Sequence, residues 1–240
     1  MESKKQEEML KVLKDFLALP HSSDAVLDRF TDLPGGGRWT GAGGLDYVYV
    51  PPSRPSPVLL VAHADVVDDA ETLPELREDE EIISNPGHIL GADDRAGCAI
   101  IWALRHLDHG ILITDGEEYG CCGAQDIMDY HPELREELQN RYQFMVEFDR
   151  QGRDEYKCYT VGTDVFRQYI ESCTGFHEPD RRSRTDIAVL ARDICGVNLS
   201  CGYPMQHSPL EYIVKNDWLN TLQIAGEWLS IPVLPRFELT

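Results

Sequence analysis

Short apolar runs alternate with longer amphipathic stretches along the chain. Four short runs are largely apolar, which is typical of strands buried in a sheet: residues 45–50, 57–62, 110–114 and 143–148. Three longer stretches repeat apolar residues at helical spacing: residues 6–18, 94–107 and 214–229. This alternation predicts an α/β fold, a three-layer sandwich with a mostly parallel central sheet. Without internal repeats or a low-complexity linker, residues 1–240 are expected to form a single domain.

Composition and net charge indicate the class of protein and exclude some kinds of binding partner. Hydrophobic residues make up 42% and aromatic residues 9% of the chain, as in ordinary globular proteins. The formal net charge of −20 would repel nucleic-acid phosphates, so we expect no nucleic-acid partner. No apolar run is long enough to span a bilayer, and the N-terminus carries no signal sequence. With seven cysteines that lack metal-type spacing, we expect a cytoplasmic protein with reduced thiols and no membrane association.

A histidine comes directly after the apolar run 57–62. In open α/β sheets, ligands bind beyond the carboxyl ends of the strands, so His63 is placed where a site would form. His63 is a candidate metal ligand, and Asp65 would accept a hydrogen bond from its other ring nitrogen. The His-x-Asp pattern is common by itself and needs further ligands nearby.

Paired aspartates open the predicted helix at 94–107. Asp93, at a strand-to-helix junction, would be able to bridge two cations, while Asp94 would cap the helix. Gly97 would allow the helix to approach the sheet closely. Capping alone is the simpler interpretation of these residues, and both roles are compatible.

Three further groups of polar residues are also candidate ligands because of their positions in the chain. Glu117 and Glu118 come after the run 110–114, where one carboxylate would bind metal and the other would take a proton from water. Asp149 follows the run 143–148, and Glu147 lies on the same strand face, so either would be able to serve as a ligand. His207 lies on a proline-framed loop before the last helix.

Two histidines and three carboxylates suit a pair of divalent ions. Nitrogen and oxygen ligands without thiolate fit zinc and, less specifically, cobalt or manganese. The sequence therefore predicts a metal centre with two ions, held by His63, Asp93 and His207 together with one carboxylate of the pair Glu117 and Glu118 and one of the pair Glu147 and Asp149.

With these motifs the sequence resembles the co-catalytic di-zinc exopeptidases, which include zinc aminopeptidases, deblocking aminopeptidases and tripeptidase T. The resemblance lies in the motifs Gly91-Ala-Asp-Asp-Arg-Ala-Gly97, Asp115-Gly-Glu-Glu-Tyr-Gly120 and Gln206-His-Ser-Pro-Leu-Glu211. Thr185-Asp186 also matches the pattern of the deblocking aminopeptidases.

The resemblance implies a role for each site residue. His63 and Asp149 would hold one zinc ion, and Glu118 and His207 the other. Asp93 would bridge both ions and precede a peptide bond that is cis in many relatives. Glu117 would be the general base. The implied activity is cleavage of amide bonds by an aminopeptidase that acts on short peptides.

The chain departs from these relatives in two places. Deblocking aminopeptidases insert a domain between the first histidine and the bridging aspartate, and tripeptidase T inserts a lid between the fourth and fifth ligands. The intervals 64–92 and 150–206 are too short for either. The sequence therefore predicts a catalytic domain without lid or insertion domain.

Two other functions are compatible with the same motifs. One is an amidohydrolase, deacylase or carboxypeptidase-like enzyme that acts on N-acyl amino acids. The other is a non-catalytic metal-binding module, which would be expected to have lost Glu117 or a ligand, and this chain retains them all.

The remaining charged residues have simpler interpretations. We expect the other six histidines to be solvated on the surface: His21, His88, His106, His109, His131 and His177. The cluster Arg181-Arg-Ser-Arg184 is typical of a solvated turn. In so acidic a chain it would alternatively be able to bind a carboxylate of the substrate.

Overall fold

Ten strands and eight helices are present in residues 2–68, 73–180 and 183–239, the part of the chain that the computed structural model describes. The strands are β1 (Gly37–Thr40), β2 (Asp46–Val50), β3 (Leu59–His63), β4 (Arg77–Glu78), β5 (Ile82–Ser84), β6 (Gly110–Thr114), β7 (Met145–Arg150), β8 (Tyr156–Lys157), β9 (Gly196–Ser200) and β10 (Tyr212–Val214). The helices are α1 (Glu2–Leu17), α2 (Asp24–Thr31), α3 (Ala92–Leu104), α4 (Cys122–Tyr130), α5 (Pro132–Arg141), α6 (Asp164–Thr174), α7 (Ile187–Leu190) and α8 (Lys215–Leu229). A 3-10 helix, Arg105–Leu107, continues α3. None of these helices is both long enough and apolar enough to cross a bilayer.

A seven-stranded sheet has the order β1-β2-β6-β3-β7-β9-β8. Its four central strands, β6, β3, β7 and β9, run parallel, and the outer strands pair antiparallel. The predicted mostly parallel sheet is therefore confirmed. A separate three-stranded sheet, β10-β5-β4, has short strands with too little pattern to be predicted.

Apolar side chains on the two faces of the sheet belong to two separate cores. In β3, Leu60 packs into the core that contains Ile100 of α3 and Trp218 of α8. Leu59 packs into the opposite core, which contains Ile127 of α4. Because successive side chains of a strand point to opposite faces, one strand contributes to both cores. The three-layer arrangement follows from this alternation.

The bounds of β7 differ from the prediction. The apolar run 143–148 places the end of the strand at Phe148, but β7 extends to Arg150. Its pairing with β9 shifts register between Glu147 and Arg150, which marks a bulge. Asp149 therefore lies within the last part of the strand instead of following it.

Two of the six histidines expected on the surface are buried, so the prediction was wrong for them. His21 is 4% exposed and His109 is 3% exposed. His109 precedes β6 and accepts a hydrogen bond at Nδ1 from the backbone N–H of Val58 (3.1 Å), while its Nε2 lies 3.0 Å from the carbonyl oxygen of Leu229. These partners satisfy both nitrogens of a neutral ring, which explains how an imidazole can be buried there.

Candidate metal centre

Five histidine and carboxylate side chains converge beyond the carboxyl ends of the central parallel strands. They come from five separate places in the chain: the end of β3, the start of α3, the loop after β6, the end of β7 and the loop before β10. They are the predicted ligands His63, Asp93, Glu118, Asp149 and His207. This is the edge of the sheet at which open α/β folds bind ligands.

The five residues form two groups that share Asp93. In the first group, Nε2 of His63 lies 3.1 Å from Oδ1 of Asp93 and 3.4 Å from Oδ1 of Asp149. In the second, Nε2 of His207 lies 3.0 Å from Oδ2 of Asp93 and 3.0 Å from Oε2 of Glu118. Each oxygen of Asp93 thus faces a different histidine, which is the arrangement that a bridging carboxylate requires.

The donor set fits two divalent ions. Ligand atoms about 2 Å from a tetrahedral zinc ion lie about 3.3 Å from one another, close to the spacings within each group. Oε1 of Glu118 is buried and has no hydrogen-bond partner among the described residues. An unpaired buried carboxylate oxygen is costly, and a cation would satisfy it. Imidazole and carboxylate donors without thiolate are the set expected for zinc, cobalt or manganese.

The ionisable groups of the centre shift one another's pKa values. Despite burial, hydrogen bonds from His207 and His63 hold the pKa of Asp93 below its usual range. Hydrogen bonds to Asp93 and Glu118 raise the pKa of His207 to about 10. Burial and the neighbouring charge of Asp93 raise the pKa of Asp149 to about 7. The centre therefore concentrates negative charge that cations would compensate.

Asp93 and its neighbour Asp94 point in different directions, as predicted. The peptide bond between them is cis. Oδ1 of Asp94 accepts a hydrogen bond from the backbone N–H of Gly97 (2.9 Å), which caps the regular part of α3. A Cβ atom on Gly97 would lie 1.7 Å from the carbonyl oxygen of Phe148, so only glycine allows this approach of helix and sheet.

Glu211 connects the loop of His207 with the loop of Asp93. Its carboxylate is 2% exposed. It accepts hydrogen bonds from the backbone N–H groups of Leu90 (3.0 Å), Gly91 (2.8 Å) and Asp93 (3.2 Å). Three backbone donors on one buried carboxylate fix the start of α3 relative to the final loop.

Asp65 connects His63 with the glutamate loop. Nδ1 of His63 lies 3.1 Å from the backbone carbonyl oxygen of Asp65 and 3.3 Å from Oδ1 of its carboxylate, the predicted partner. Its two oxygens also accept hydrogen bonds from the backbone N–H groups of Glu117 (3.1 Å) and Glu118 (3.0 Å). Asp65 therefore positions both the histidine ring and the adjacent glutamates.

Glu117 is partly buried beside the first group of ligands. Burial, followed by the negative charge of Asp149, raises its pKa to about 9. The thiol of Cys121 donates to Oε1 of Glu117 at 3.7 Å. A carboxylate that lies beside the ligand groups without belonging to either is suited to transfer a proton.

The structure separates the two candidate ligands of β7. Asp149 lies against His63, and its other oxygen accepts a hydrogen bond from Oγ1 of Thr185 (2.7 Å). Glu147 is fully buried and lies 2.9 Å from the same hydroxyl and 3.3 Å from the backbone N–H of Ile187. Only Asp149 belongs to a group of potential ligands in the described part of the chain.

Three residues that sequence reasoning gave no role hold Asp149 and Asp93 in place. Besides Glu211, Tyr203 donates its hydroxyl to Oδ1 of Asp149 (3.1 Å). The side-chain amide of Asn198 binds both the N–H and the carbonyl of Asp149 at 2.8 Å. Tyr203 and Asn198 carry no recognisable signal in the sequence, whereas Glu211 was visible as the last residue of the histidine motif.

A model of peptidase family M28 matches residues 47–185 of the chain, which is more than half of it. No curated protein sequence matches.

Solved structures with the same fold include several peptidases. Aminopeptidase PepT from Bacillus cereus ATCC 10987 is 14% identical, with a TM-score of 0.66 over 94% of this chain and 98% of that one. A tripeptidase from Staphylococcus aureus subsp. aureus Mu50 is 13% identical, with a TM-score of 0.67 over 94% and 98%. The archaeal aminopeptidase APDkam598 from Desulfurococcus kamchatkensis is 14% identical, with a TM-score of 0.62 over 95% and 96%. At such identities the likeness establishes the fold.

Proposed function

The chain belongs to peptidase family M28, and on that premise we propose that it is a two-zinc aminopeptidase acting on short peptides. Family membership confirms the resemblance to the di-zinc exopeptidases that the motifs suggested. The observation that carries the proposal is the pair of ligand groups that share Asp93, with Glu117 beside them. Membership of a peptidase family also favours peptides over N-acyl amino acids as substrates.

The ligands divide between the two ions according to their contacts. His63 and Asp149 would hold one ion, Glu118 and His207 would hold the other, and Asp93 would be shared between them, as the contacts within each group suggest. When bound, the two ions lower the pKa of a water molecule and polarise the carbonyl of the scissile bond. Zinc suits this donor set best, and cobalt or manganese are the alternatives.

Glu117 acts as the general base and then as the general acid. Its carboxylate takes a proton from the attacking water and delivers it to the amine of the leaving group. Asp65 contributes indirectly, because it fixes the backbone of Glu117 and the ring of His63. We regard Asp65 as a positioning residue.

Anchoring of a free α-amino group would make the enzyme an aminopeptidase. The second ion, or a carboxylate beside it, would hold the free α-amino group at the start of a peptide, and an N-acylated substrate has no such group. The enzyme would therefore remove residues from the N-terminus of its substrate.

The setting of the enzyme is also part of the proposal. All seven cysteines are free, as expected of a protein in the reducing cytoplasm. We propose a cytoplasmic location and a single catalytic domain over residues 1–240, without a lid or insertion domain.

The replacement of Glu117 by Gln tests the proposal. The zinc-loaded wild type should hydrolyse a peptide such as Ala-Ala-Ala, lose activity on chelation and regain it with zinc. Glu117→Gln should lower kcat by about 10²–10⁴-fold while the protein keeps two zinc ions per chain, because the residue moves a proton and binds no metal. Zinc content and kcat would be measured on the same samples.

Glu133→Gln is a matched control, since Glu133 is exposed on α5 and should leave both quantities unchanged. A Glu117→Gln protein with two zinc ions and full activity would refute the role of Glu117. A wild type that binds zinc but hydrolyses no peptide would refute the proposed function.

A further inference from the structure

A cavity of about 410 Å³ contains two arginine side chains, Arg184 and Arg192. Its volume lies within the range of about 300–1,000 Å³ that is usual for small-ligand sites. Ala188 and Val189 of α7 supply apolar wall, and Thr160 and Gln125 supply neutral polar groups. Arg181 and Arg182, the rest of the predicted basic cluster, lie outside the described residues.

The cavity adjoins the metal centre on the side of Asp149. Ser183 and Arg184 line it and immediately precede Thr185, whose hydroxyl lies 2.7 Å from Oδ2 of Asp149. Tyr159 also lines it, and its hydroxyl lies 3.2 Å from Nδ2 of Asn198, the residue that clamps the backbone of Asp149. A group bound in the cavity would therefore be close to the first set of ligands.

The same cavity adjoins the general base. Gln125 lies on the first turn of α4, and its amide donates to the carbonyl oxygen of Gly120, in the loop that carries Glu117. Burial raises the pKa of the Cys121 thiol, and the positive charge of Arg184 lowers it in part. The thiol of Cys121 in turn contacts Oε1 of Glu117.

The charge of the cavity is opposite to that of the whole chain. The chain carries a net charge of −20, whereas the charged residues that line the cavity are two arginines and Asp129. Within the described ranges, neither Arg184 nor Arg192 has a carboxylate oxygen within 4.0 Å. Arg192 uses Nε to donate to the carbonyl oxygen of Val189, which leaves the outer guanidinium nitrogens for another acceptor.

We propose that this cavity is a subsite that binds a carboxylate of the peptide substrate through Arg184 and Arg192. The inference rests on the proposed peptidase function. The fork of guanidinium donors matches the two oxygens of a carboxylate, and Ser183 and Thr160 offer hydroxyl donors beside them. The carboxylate belongs either to an acidic side chain near the scissile bond or to the C-terminus of a short peptide.

Four peptides distinguish the sources of the carboxylate. They are Ala-Ala-Ala, its C-terminal amide, and the amides of Glu-Ala-Ala and Ala-Glu-Ala. We expect the zinc-loaded wild type to prefer at least one carboxylate-bearing peptide over Ala-Ala-Ala amide by about tenfold in kcat/KM, the usual value of a charged hydrogen-bonded contact. Preference for free Ala-Ala-Ala assigns the C-terminus, and preference for a glutamate peptide assigns the side chain and its position.

Substitution of the arginines tests whether the cavity causes the preference. Arg184→Gln and Arg192→Gln should each lower the ratio of kcat/KM for the preferred peptide to that for Ala-Ala-Ala amide by about tenfold. Arg105→Gln removes the same charge from an exposed residue beyond the far end of α3 and should keep the wild-type ratio.

Three results would overturn the inference. The first is that the wild type has the same kcat/KM for all four peptides. The second is that the ratio of kcat/KM values stays at the wild-type value in both Arg184→Gln and Arg192→Gln. The third is that Arg105→Gln lowers this ratio as much as those two substitutions do. Failure of the proposed function itself would be recognised separately, because then none of the four peptides would be hydrolysed.

Discussion

Histidines in this chain occupy two opposite electrostatic settings. His207 lies between two carboxylates, and its hydrogen bonds to Asp93 and Glu118 raise its pKa to about 10. His109 is buried among neutral backbone groups beside Arg54, and burial lowers its pKa to about 4. The first setting attracts a positive charge, and the second excludes one.

The pH dependence of stability should report the burial of His109. The pKa of His109 is about 4 in the folded chain and near the ordinary 6.5 in the unfolded chain. The folded state therefore favours the neutral ring, and this contribution is complete above pH 6.5 and is lost as the pH falls from 6.5 to 4. The difference between the two pKa values corresponds to a loss of about 3 kcal/mol in the free energy of unfolding between these pH values.

Urea unfolding of wild type and His109→Gln at pH 7 and pH 4 measures this contribution. The wild type should lose about 3 kcal/mol more than the variant between these pH values, because other titrating groups contribute equally to both. His106→Gln, which changes an exposed neighbour, should follow the wild type. Parallel losses in wild type and His109→Gln would show that His109 is not buried as a neutral ring.

Single residues also show where sequence reasoning stops. His63, Asp93 and Glu118 could be proposed as ligands because each follows a strand or begins a helix at the edge where sites form, whereas His207 lies on a loop and was proposed from its motif. The choice of Asp149 over Glu147 rested on the family resemblance, since the contacts that separate them depend on the bulge in β7 and on Thr185, Tyr203 and Asn198. The burial of His21 and His109 likewise depends on contacts with residues distant in the chain.

At the level of elements, the approach of α3 to β7 determines where Asp93 lies. The carbonyl oxygen of Phe148 occupies the space that a side chain on Gly97 would need. Asp93 at the start of α3 and Asp149 at the end of β7 reach the same histidine because these two elements are so close.

Replacement of Gly97 by Ala should destabilise the protein. The added Cβ would lie 1.7 Å from backbone, so α3 must move away from the sheet. We expect a loss of about 3 kcal/mol in the free energy of unfolding, typical of severe overpacking. Gly226→Ala in α8 is the matched control, because its nearest neighbour is 3.5 Å away and alanine favours the helix by about 1 kcal/mol. Denaturant unfolding would contradict this account if both substitutions stabilised the protein.

Loss of the Glu211 carboxylate should weaken zinc binding. In Glu211→Gln an amide group replaces one of the oxygens that bind Leu90, Gly91 and Asp93, and a buried backbone donor loses its acceptor. We expect zinc affinity to fall by about 10–100-fold, as for other outer partners of metal ligands. Competition with a chromogenic chelator measures the affinity without recourse to activity.

The control for this experiment is Glu227→Gln, which changes an exposed carboxylate on α8. It should bind zinc like the wild type. Wild-type affinity in Glu211→Gln would show that the contact between the two loops does not position Asp93.

The elements were predictable to different degrees. The central strands β3 and β6 and helices α1, α3 and α8 have clear apolar patterns, so they could be predicted to within a few residues. Strands β4, β5, β8 and β10 are two or three residues long and depend on pairing with distant partners. Such strands carry no periodic pattern that a sequence could reveal.

At the scale of the whole molecule, charge is distributed unevenly around one edge of the sheet. A net charge of −20 makes the chain repel anions in general. The metal centre concentrates carboxylates, and the neighbouring cavity presents Arg184 and Arg192. Positive charge in this cavity, beside the proposed site of amide cleavage, suits a short peptide that carries a carboxylate.

The positions of zinc in a crystal, located by anomalous diffraction at the zinc edge, test the central claim most directly. We expect two peaks about 3.5–4 Å apart, bridged by Asp93, with His63 and Asp149 on one ion and Glu118 and His207 on the other. A single peak, or a peak bound by Glu147 in place of Asp149, would contradict the two-zinc centre described above.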